Sequence, residues 1–251
     1  MRTLDLNCDM GESFGAWKMG DDRAIMPLIT SANVACGFHA GDPSTIRATV
    51  RLAVDHGVAV GAHPSYPDLQ GFGRRAMQIS AQECYDLVVY QAGAVEAFAR
   101  AAGAPLHHVK IHGMLYNVAA KDEGLADAIA RATKDLGGGV MLYALSGSLM
   151  MEAAQRHGVR AVGEVFADRS YQGDGTLTPR GQPGAMITDE AASVAQVLMM
   201  VEQGKLRSLD GVEVPVEAGT LCLHGDQPGA IRFAQALRVA FKERGIALRA
   251  P

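Results

Sequence analysis

Apolar and polar residues alternate along this chain in two rhythms. Short β-branched or apolar runs at 3–8, 31–36, 58–62, 107–111, 140–145, 161–166 and 220–224 have the length and character of strands. Between them, apolar residues recur at helical spacing over 43–56, 80–102, 121–136, 148–157, 188–204 and 229–244, with a shorter stretch at 21–29. Strands alternating with helices predict βαβ units around a parallel sheet. The boundaries carry their own signals. Asp42 before Pro43 is a cap ahead of a first-turn proline, and Ser80 with Glu83 has capping-box spacing. Gly57, Gly103, Gly137 and Gly158 follow four of the helices, where a left-handed closing residue is wanted.

Seven βα units result, and no linker divides them, so residues 1–251 read as a single α/β domain. The Gly/Pro-rich stretch 170–184 sits inside the sixth unit as a long loop, and 205–217 reads as an inserted hairpin turning at Asp210-Gly211. Periodicity alone leaves a closed barrel and an open doubly wound sheet both standing.

The placement of polar residues favours the barrel. Strand after strand ends in a group able to move a proton, bind a metal or orient a substrate: Asn7 and Asp9, then His39, His63, Lys110 with His112, Glu164 and His224. In a (β/α) barrel all such ends lie on one face and surround one cavity. The expected catalytic set is therefore Asp9, His39, His63, Lys110, His112, Glu164 and His224. Asn7, Glu12, Asp42 and Tyr66 are candidate substrate contacts, as are Arg74, Arg169 and Asp226. Asp42 and Asp226 serve equally well as helix-start residues, and Arg74-Arg75 as a solvated pair. His56, His107, His108 and His157 fall on helix ends or strand starts and read as structural. The loops 61–75 and 168–181 are long and Gly-rich; the second suits a lid carrying a further cation, Arg180.

Composition narrows the functional classes. The chain has 251 residues and a net charge of −4 without a basic run, which argues against a nucleic-acid surface. The N-terminus turns polar within a few residues, and no apolar segment approaches membrane-spanning length. Four cysteines without CxxC pairing read as reduced thiols, so a cytoplasmic protein is expected. There is no GxxxxGK[ST], strand-linked GxGxxG, HExxH or GxSxG. A nucleotide would have to be held by rim loops or by a partner.

The segments DLNCDMGE (5–12), NVACGFHAGDP (33–43), GAHPSYPD with GFGRR (61–75), VKIHGMLYN (109–117), EVFADRSY (164–171) and LHGDQPGA (223–230) closely resemble the LamB/YcsF family. The likeness runs through nearly the whole chain in order. Ile111 departs from the family's usual KPHG, while Lys110 and His112 on either side agree with it. The resemblance implies a TIM-barrel-like fold similar to the glycoside hydrolase and deacetylase group. It implies the activity of a 5-oxoprolinase A subunit: cleavage of 5-oxo-L-proline to L-glutamate driven by ATP with Mg2+, together with subunits B and C. For that chemistry Lys110, Arg74 and Arg169 are candidate cations, with Asp9 or Glu164 as base and Lys110, His112 and His224 polarising the lactam oxygen. Two other readings remain: a stand-alone metal-dependent hydrolase using Asp9, His39 and His63, and a binding subunit that presents substrate without catalysing.

Overall fold

The structure, a computed structural model, describes residues 2–225 and 229–251. Asp226, one of the expected substrate contacts, lies outside the described residues.

Seven parallel strands close into a barrel: β1 (Thr3–Met10), β2 (Ser31–Ala35), β3 (Ala59–His63), β4 (His108–Lys110), β5 (Met141–Leu145), β6 (Ala161–Phe166) and, last in chain order, β9 (Thr220–His224). Closure comes from β1, which pairs with β2 on one side and β9 on the other, while β9 also pairs with β6. The antiparallel pair β7 (Lys205–Arg207) and β8 (Glu213–Pro215) forms the expected hairpin, and the short β10 (Ala247–Leu248) extends the start of β1. Strand pairing thus gives a TIM-barrel-like fold with seven barrel strands.

Helices α1 (Asp22–Ile25), α2 (Pro43–Asp55), α3 (Ala81–Ala101), α4 (Gly113–Ala119), α5 (Glu123–Asp135), α6 (Leu149–His157), α7 (Glu190–Gln203) and α8 (Ala230–Glu243) follow or flank the strands. Their ends form as the caps predict. Asp42 accepts from the Thr45 amide, Ser80 and Glu83 cap each other's amides, and Gly158 closes α6 with φ 69°. Two elements depart from the sequence reading. The run GMLYNVA lies between the strand expected at 107–111 and the helix expected at 121–136, yet it forms α4, a helix with no side-chain cap at its start. β10 has two residues, too few for any period to show.

The apolar core lies between strands and helices. Leu4, Leu6, Cys8 and Met10 of β1 point into it, as do Val34, Val60, Val109, Leu142, Val165 and Leu221 from other strands. The alternate residues point into the barrel, where a separate apolar patch of Met141, Tyr143 and Val162 forms. Above that patch the interior is polar. Among the described residues no helix is long and apolar enough to cross a membrane.

Candidate active site

Alternation along β1 puts Asp5, Asn7 and Asp9 inside the barrel, one above another, because side chains repeat every second residue on a strand face. Each meets a different set of partners. Asp5, lowest, accepts from the hydroxyls of Thr30 (2.5 Å), Ser31 (2.7 Å) and Thr220 (2.6 Å). Asn7 donates to Glu164 Oε1 (3.0 Å) and accepts from Asn33 (2.7 Å) and Lys110 (3.1 Å). Beside it, the His108 ring stacks on Tyr143 and bonds Asn33 Oδ1 at 2.7 Å. That ring fits because β3 carries Gly61 opposite: a Cβ there would stand 2.1 Å from His108 Nε2.

Lys110 is the hinge between the layers. Its Nζ lies 2.8 Å from Asp9 Oδ1, 2.9 Å from Glu164 Oε1, 3.1 Å from Asn7 Oδ1 and 2.9 Å from Cys222 Sγ. Burial opposes its charge, but Asp9 and Glu164 overcome it and hold the ammonium above the usual lysine range. Burial likewise opposes ionisation of Asp9, and its neighbours His63 and Lys110 outweigh it, so its carboxyl stays well below the usual range.

At the rim, three imidazoles gather. His63 Nδ1–H donates to the Lys110 carbonyl at 2.7 Å, and His112 Nε2–H donates to the Phe72 carbonyl at 2.9 Å. A carbonyl can only accept, so these bonds leave His63 Nε2 and His112 Nδ1 as the inward atoms, 2.9 Å apart. Asp9 Oδ2 stands 3.2 Å from His63 Nε2, and Glu12 Oε1 stands 3.7 Å from His112 Nδ1. His39 lies flat against His112, centroids 3.7 Å apart and planes 7° from parallel, with its Nε2 3.4 Å from Glu12. Burial, joined by neighbouring imidazoles, pushes His39 and His112 well below the usual histidine range. Phe72, whose carbonyl orients His112, sits at φ 54°, a strained conformation for an aromatic residue.

On the far side of the barrel mouth, His224 Nδ1–H donates to Asp168 at 2.8 Å, and Arg180 Nη2 donates to His224 Nε2 at 3.2 Å. Burial opposes ionisation of Asp168, but His224 holds its carboxyl below the usual range.

A cavity of about 750 Å3 opens over these groups. Its floor includes Asp9, His63, Lys110, His112, Phe166 and His224, and Arg74, Arg169 and Arg180 line it from the loops. Arg74 packs over the Phe72 ring, whereas its neighbour Arg75 is paired with Asp68 inside its own loop.

Several expected roles are corrected by this geometry. Asp42 caps α2 and accepts from the Gly15 amide at 2.7 Å, so it holds a loop and does not reach the cavity. Tyr66 is buried in the apolar core, away from the cavity. Glu164 is fully buried and does not line the cavity: Asn7 and Lys110 hold one oxygen and the Tyr116 hydroxyl the other at 2.6 Å, so it supports the floor from below. Asn7 likewise supports from below. Lys110 has four acceptors for three protons, so it contributes charge and position rather than a hydrogen bond to substrate. Arg169 donates to the carbonyls of Thr178 and Ala185 and braces the 168–185 loop, with one face left to the cavity. Glu12 Oε1 stands beside His112 Nδ1 and His39 Nε2, and His39 stacks on His112. Of the candidate metal triad, His39 and His63 fall with Glu12 and His112 in one group whose ligand atoms lie within 4.8 Å of one another, and Asp9 Oδ2 stands 3.2 Å from His63.

Sequence reasoning missed Tyr116, Asn33 and Cys222, and gave Asp168 no partner. Asn33 carried a signal, a polar residue at the inward position of an otherwise apolar strand; Tyr116 and Cys222 looked like core.

The comparisons agree with the fold. The LamB/YcsF family model matches residues 4–251. A Bordetella parapertussis protein, named as the A subunit of 5-oxoprolinase, is 60% identical over 98% of both chains. One of the same name from Tolumonas auensis is 55% identical over the full length of both. A crystal structure of a lactam utilization protein from Thermus thermophilus superposes with a TM-score of 0.93 at 50% identity, covering 99% of this chain and 100% of that one. With the match running from Leu4 to the last residue, the chain belongs to the LamB/YcsF family.

Proposed function

We propose that this chain is the lactam-opening component of an ATP-dependent 5-oxoprolinase, working with partner subunits equivalent to B and C. The observation that carries the reading is the convergence of Asp9 Oδ2, His63 Nε2, His112 and the Asp168–His224 pair on one cavity whose loop side is lined by arginines. The names of the full-length relatives supply the substrate.

The cavity has two chemical ends, and 5-oxoproline has two as well. Its carboxylate suits the guanidinium groups of Arg74, Arg169 and Arg180, and its lactam then faces the acid–imidazole floor. A lactam resists water because its nitrogen feeds the carbonyl. Transfer of a phosphoryl group from ATP, carried with Mg2+, onto the lactam oxygen removes that resonance. Water then adds at the carbonyl carbon, the ring nitrogen leaves with a proton, and a second water releases phosphate from the resulting acyl phosphate. The site supplies a proton acceptor and donor in His224, whose tautomer Asp168 sets. Asp9, a carboxylate held ionised, orients His63 and the attacking water. The volume exceeds what one small lactam needs, which leaves room for the phosphoryl donor. A cytoplasmic place of action belongs to the same reading, supported by four cysteines that are all free thiols.

The test is a glutamate-release assay on 5-oxoproline and ATP, with this chain alone and with subunits B and C added. Turnover is expected from the assembly, and Asp9→Asn is expected to abolish it while the circular dichroism spectrum is unchanged. Near-normal turnover by that variant would remove Asp9 from the mechanism.

A further inference from the structure

Two histidines at the rim point lone pairs at each other. Backbone carbonyls of Lys110 and Phe72 take the protons of His63 Nδ1 and His112 Nε2, so the atoms 2.9 Å apart, His63 Nε2 and His112 Nδ1, are both acceptors when the rings are neutral. Two carboxylates sit beside them, with Asp9 Oδ2 at 3.2 Å from His63 and Glu12 Oε1 at 3.7 Å from His112. Two ring nitrogens whose lone pairs face each other at 2.9 Å in a buried place, each with a carboxylate oxygen beside it, repel unless something positive lies between them. Lys110 cannot serve, since its protons are directed to Asp9, Glu164, Asn7 and Cys222.

We propose that this cluster is a binding site for a first-row divalent transition-metal ion, held by His63 Nε2, His112 Nδ1 and Glu12 Oε1, with the Asp9 carboxylate beside it. Three features support it. Donors about 2.0–2.1 Å from an ion at tetrahedral angles stand about 3.3 Å apart, and the separations of 2.9 Å between the two imidazole nitrogens and 3.7 Å between Glu12 and His112 bracket that value, with all three atoms within 4.8 Å of one another. Both histidines donate their other nitrogen to a backbone carbonyl, the second partner that fixes tautomer and direction in metal-binding imidazoles. His63, His112 and Asp9 also line the cavity, so an ion there keeps one side open to a ligand, as catalytic metal sites do.

The donor chemistry selects the ion. Two imidazoles with carboxylate oxygen suit zinc, cobalt or nickel better than magnesium or calcium, which take oxygen ligands. His39 belongs to the same cluster, within 4.8 Å of the others, and neither of its ring nitrogens has a hydrogen-bond partner among the described residues. Parallel rings cannot both aim in-plane lone pairs at one ion, so His39 backs the site through its stack on His112.

The inference does not rest on the lactam reading, and its test needs no turnover. Chelator-treated chain is titrated with Co2+ alone, reading the visible absorption of the bound ion, and metal content after purification is measured by elemental analysis. One Co2+ per chain is expected, with a rise in Tm. His63→Gln and His112→Asn keep an amide near the place of the lost ring nitrogen and so preserve packing. Each is expected to weaken Co2+ binding by more than about 100-fold. His39→Ala is expected to cost about tenfold, and His157→Ala, on the outer helix α6, nothing. Wild-type affinity no better than millimolar, or equal affinity in His63→Gln and His112→Asn, would overturn the proposal and indicate that a shared proton neutralises the cluster. Either result leaves the glutamate-release test to be judged separately.

Discussion

Replacing Lys110 with methionine would keep most of the side-chain volume and delete one positive charge from the barrel interior. The Nζ atom stands within 2.9 Å of a carboxylate oxygen of both Asp9 and Glu164, and all three residues are buried. Without it the two carboxylates share a low-dielectric space with no cation between them. Breaking a buried ion pair from one side costs about 3–5 kcal/mol, because the orphaned charge stays behind. For a chain of this size each kcal/mol moves Tm by about 2–4 °C, so a fall of about 6–20 °C is expected. The loss must also depend on pH. In the variant at least one carboxylate acquires a native pKa above its unfolded value, so its folded form holds a proton that the unfolded chain releases. Stability of the variant then falls as pH rises through the unfolded carboxylate value near about 4, and its gap to wild type widens toward neutrality. Urea unfolding at a series of pH values measures this gap. Adding Glu164→Gln to Lys110→Met removes one of the two stranded charges and should recover part of the loss at neutral pH. A single variant costing under about 1 kcal/mol at all pH values would contradict the reasoning, since it falls in the range of exposed pairs.

Two further substitutions test the interior. Gly61→Ala would place a methyl 2.1 Å from His108 Nε2 and force the ring off Asn33; overpacking of this kind costs about 1–3 kcal/mol, read as a lower urea midpoint. An unchanged midpoint would mean the ring is free to move. Asp168→Asn tests the His224 pair. Burial opposes the Asp168 charge and His224 holds its pKa down, so the stability it contributes is present above the unfolded value near about 4 and lost as pH falls toward its native one. The difference between wild type and Asp168→Asn should therefore shrink on acidification, and a constant difference would show that the pair is not ionised.

Much of the barrel was legible in the chain because its signals are local. Strand-length apolar runs, the caps at Asp42 and Ser80, and polar residues at strand ends depend on near neighbours in sequence, and they placed the rim correctly. What was not legible depends on contacts between distant segments. Glu164 in VGEVFA reads as an inward carboxylate, which it is, but the groups that hold its two oxygens, Asn7 and Tyr116, are 157 and 48 residues away. Tyr116 lies in an apolar run with no polar period, so nothing near it announces that its hydroxyl reaches a carboxylate. The same holds for Asp168 with His224, 56 residues apart. Tyr66 shows the converse: its neighbours His63 and Ser65 suggest the rim, while its own side chain turns into the apolar core. Side-chain identity shows which chemistry is available; the partners that silence or direct it come from the fold.

The barrel interior separates stability from chemistry. Apolar contact is concentrated outside the strands, between barrel and helices, while the lower interior carries a small apolar patch at Met141, Tyr143 and Val162. Most polar groups inside therefore pair with one another, and they do so with a charge balance that changes with height. Asp5 at the bottom rests on three hydroxyls; in the middle a single ammonium faces two carboxylates; at the rim Glu12 adds a further carboxylate among imidazoles that burial keeps neutral. Negative charge thus accumulates toward the cavity floor, while Arg74, Arg169 and Arg180 stand on the loop side. A floor of this sign attracts a cation, and walls of the opposite sign attract an anionic substrate. The same gradient explains how Lys110 is used within the floor: its ammonium is directed to Asp9, Glu164 and Asn7, so it keeps Asp9 ionised rather than being offered to the substrate.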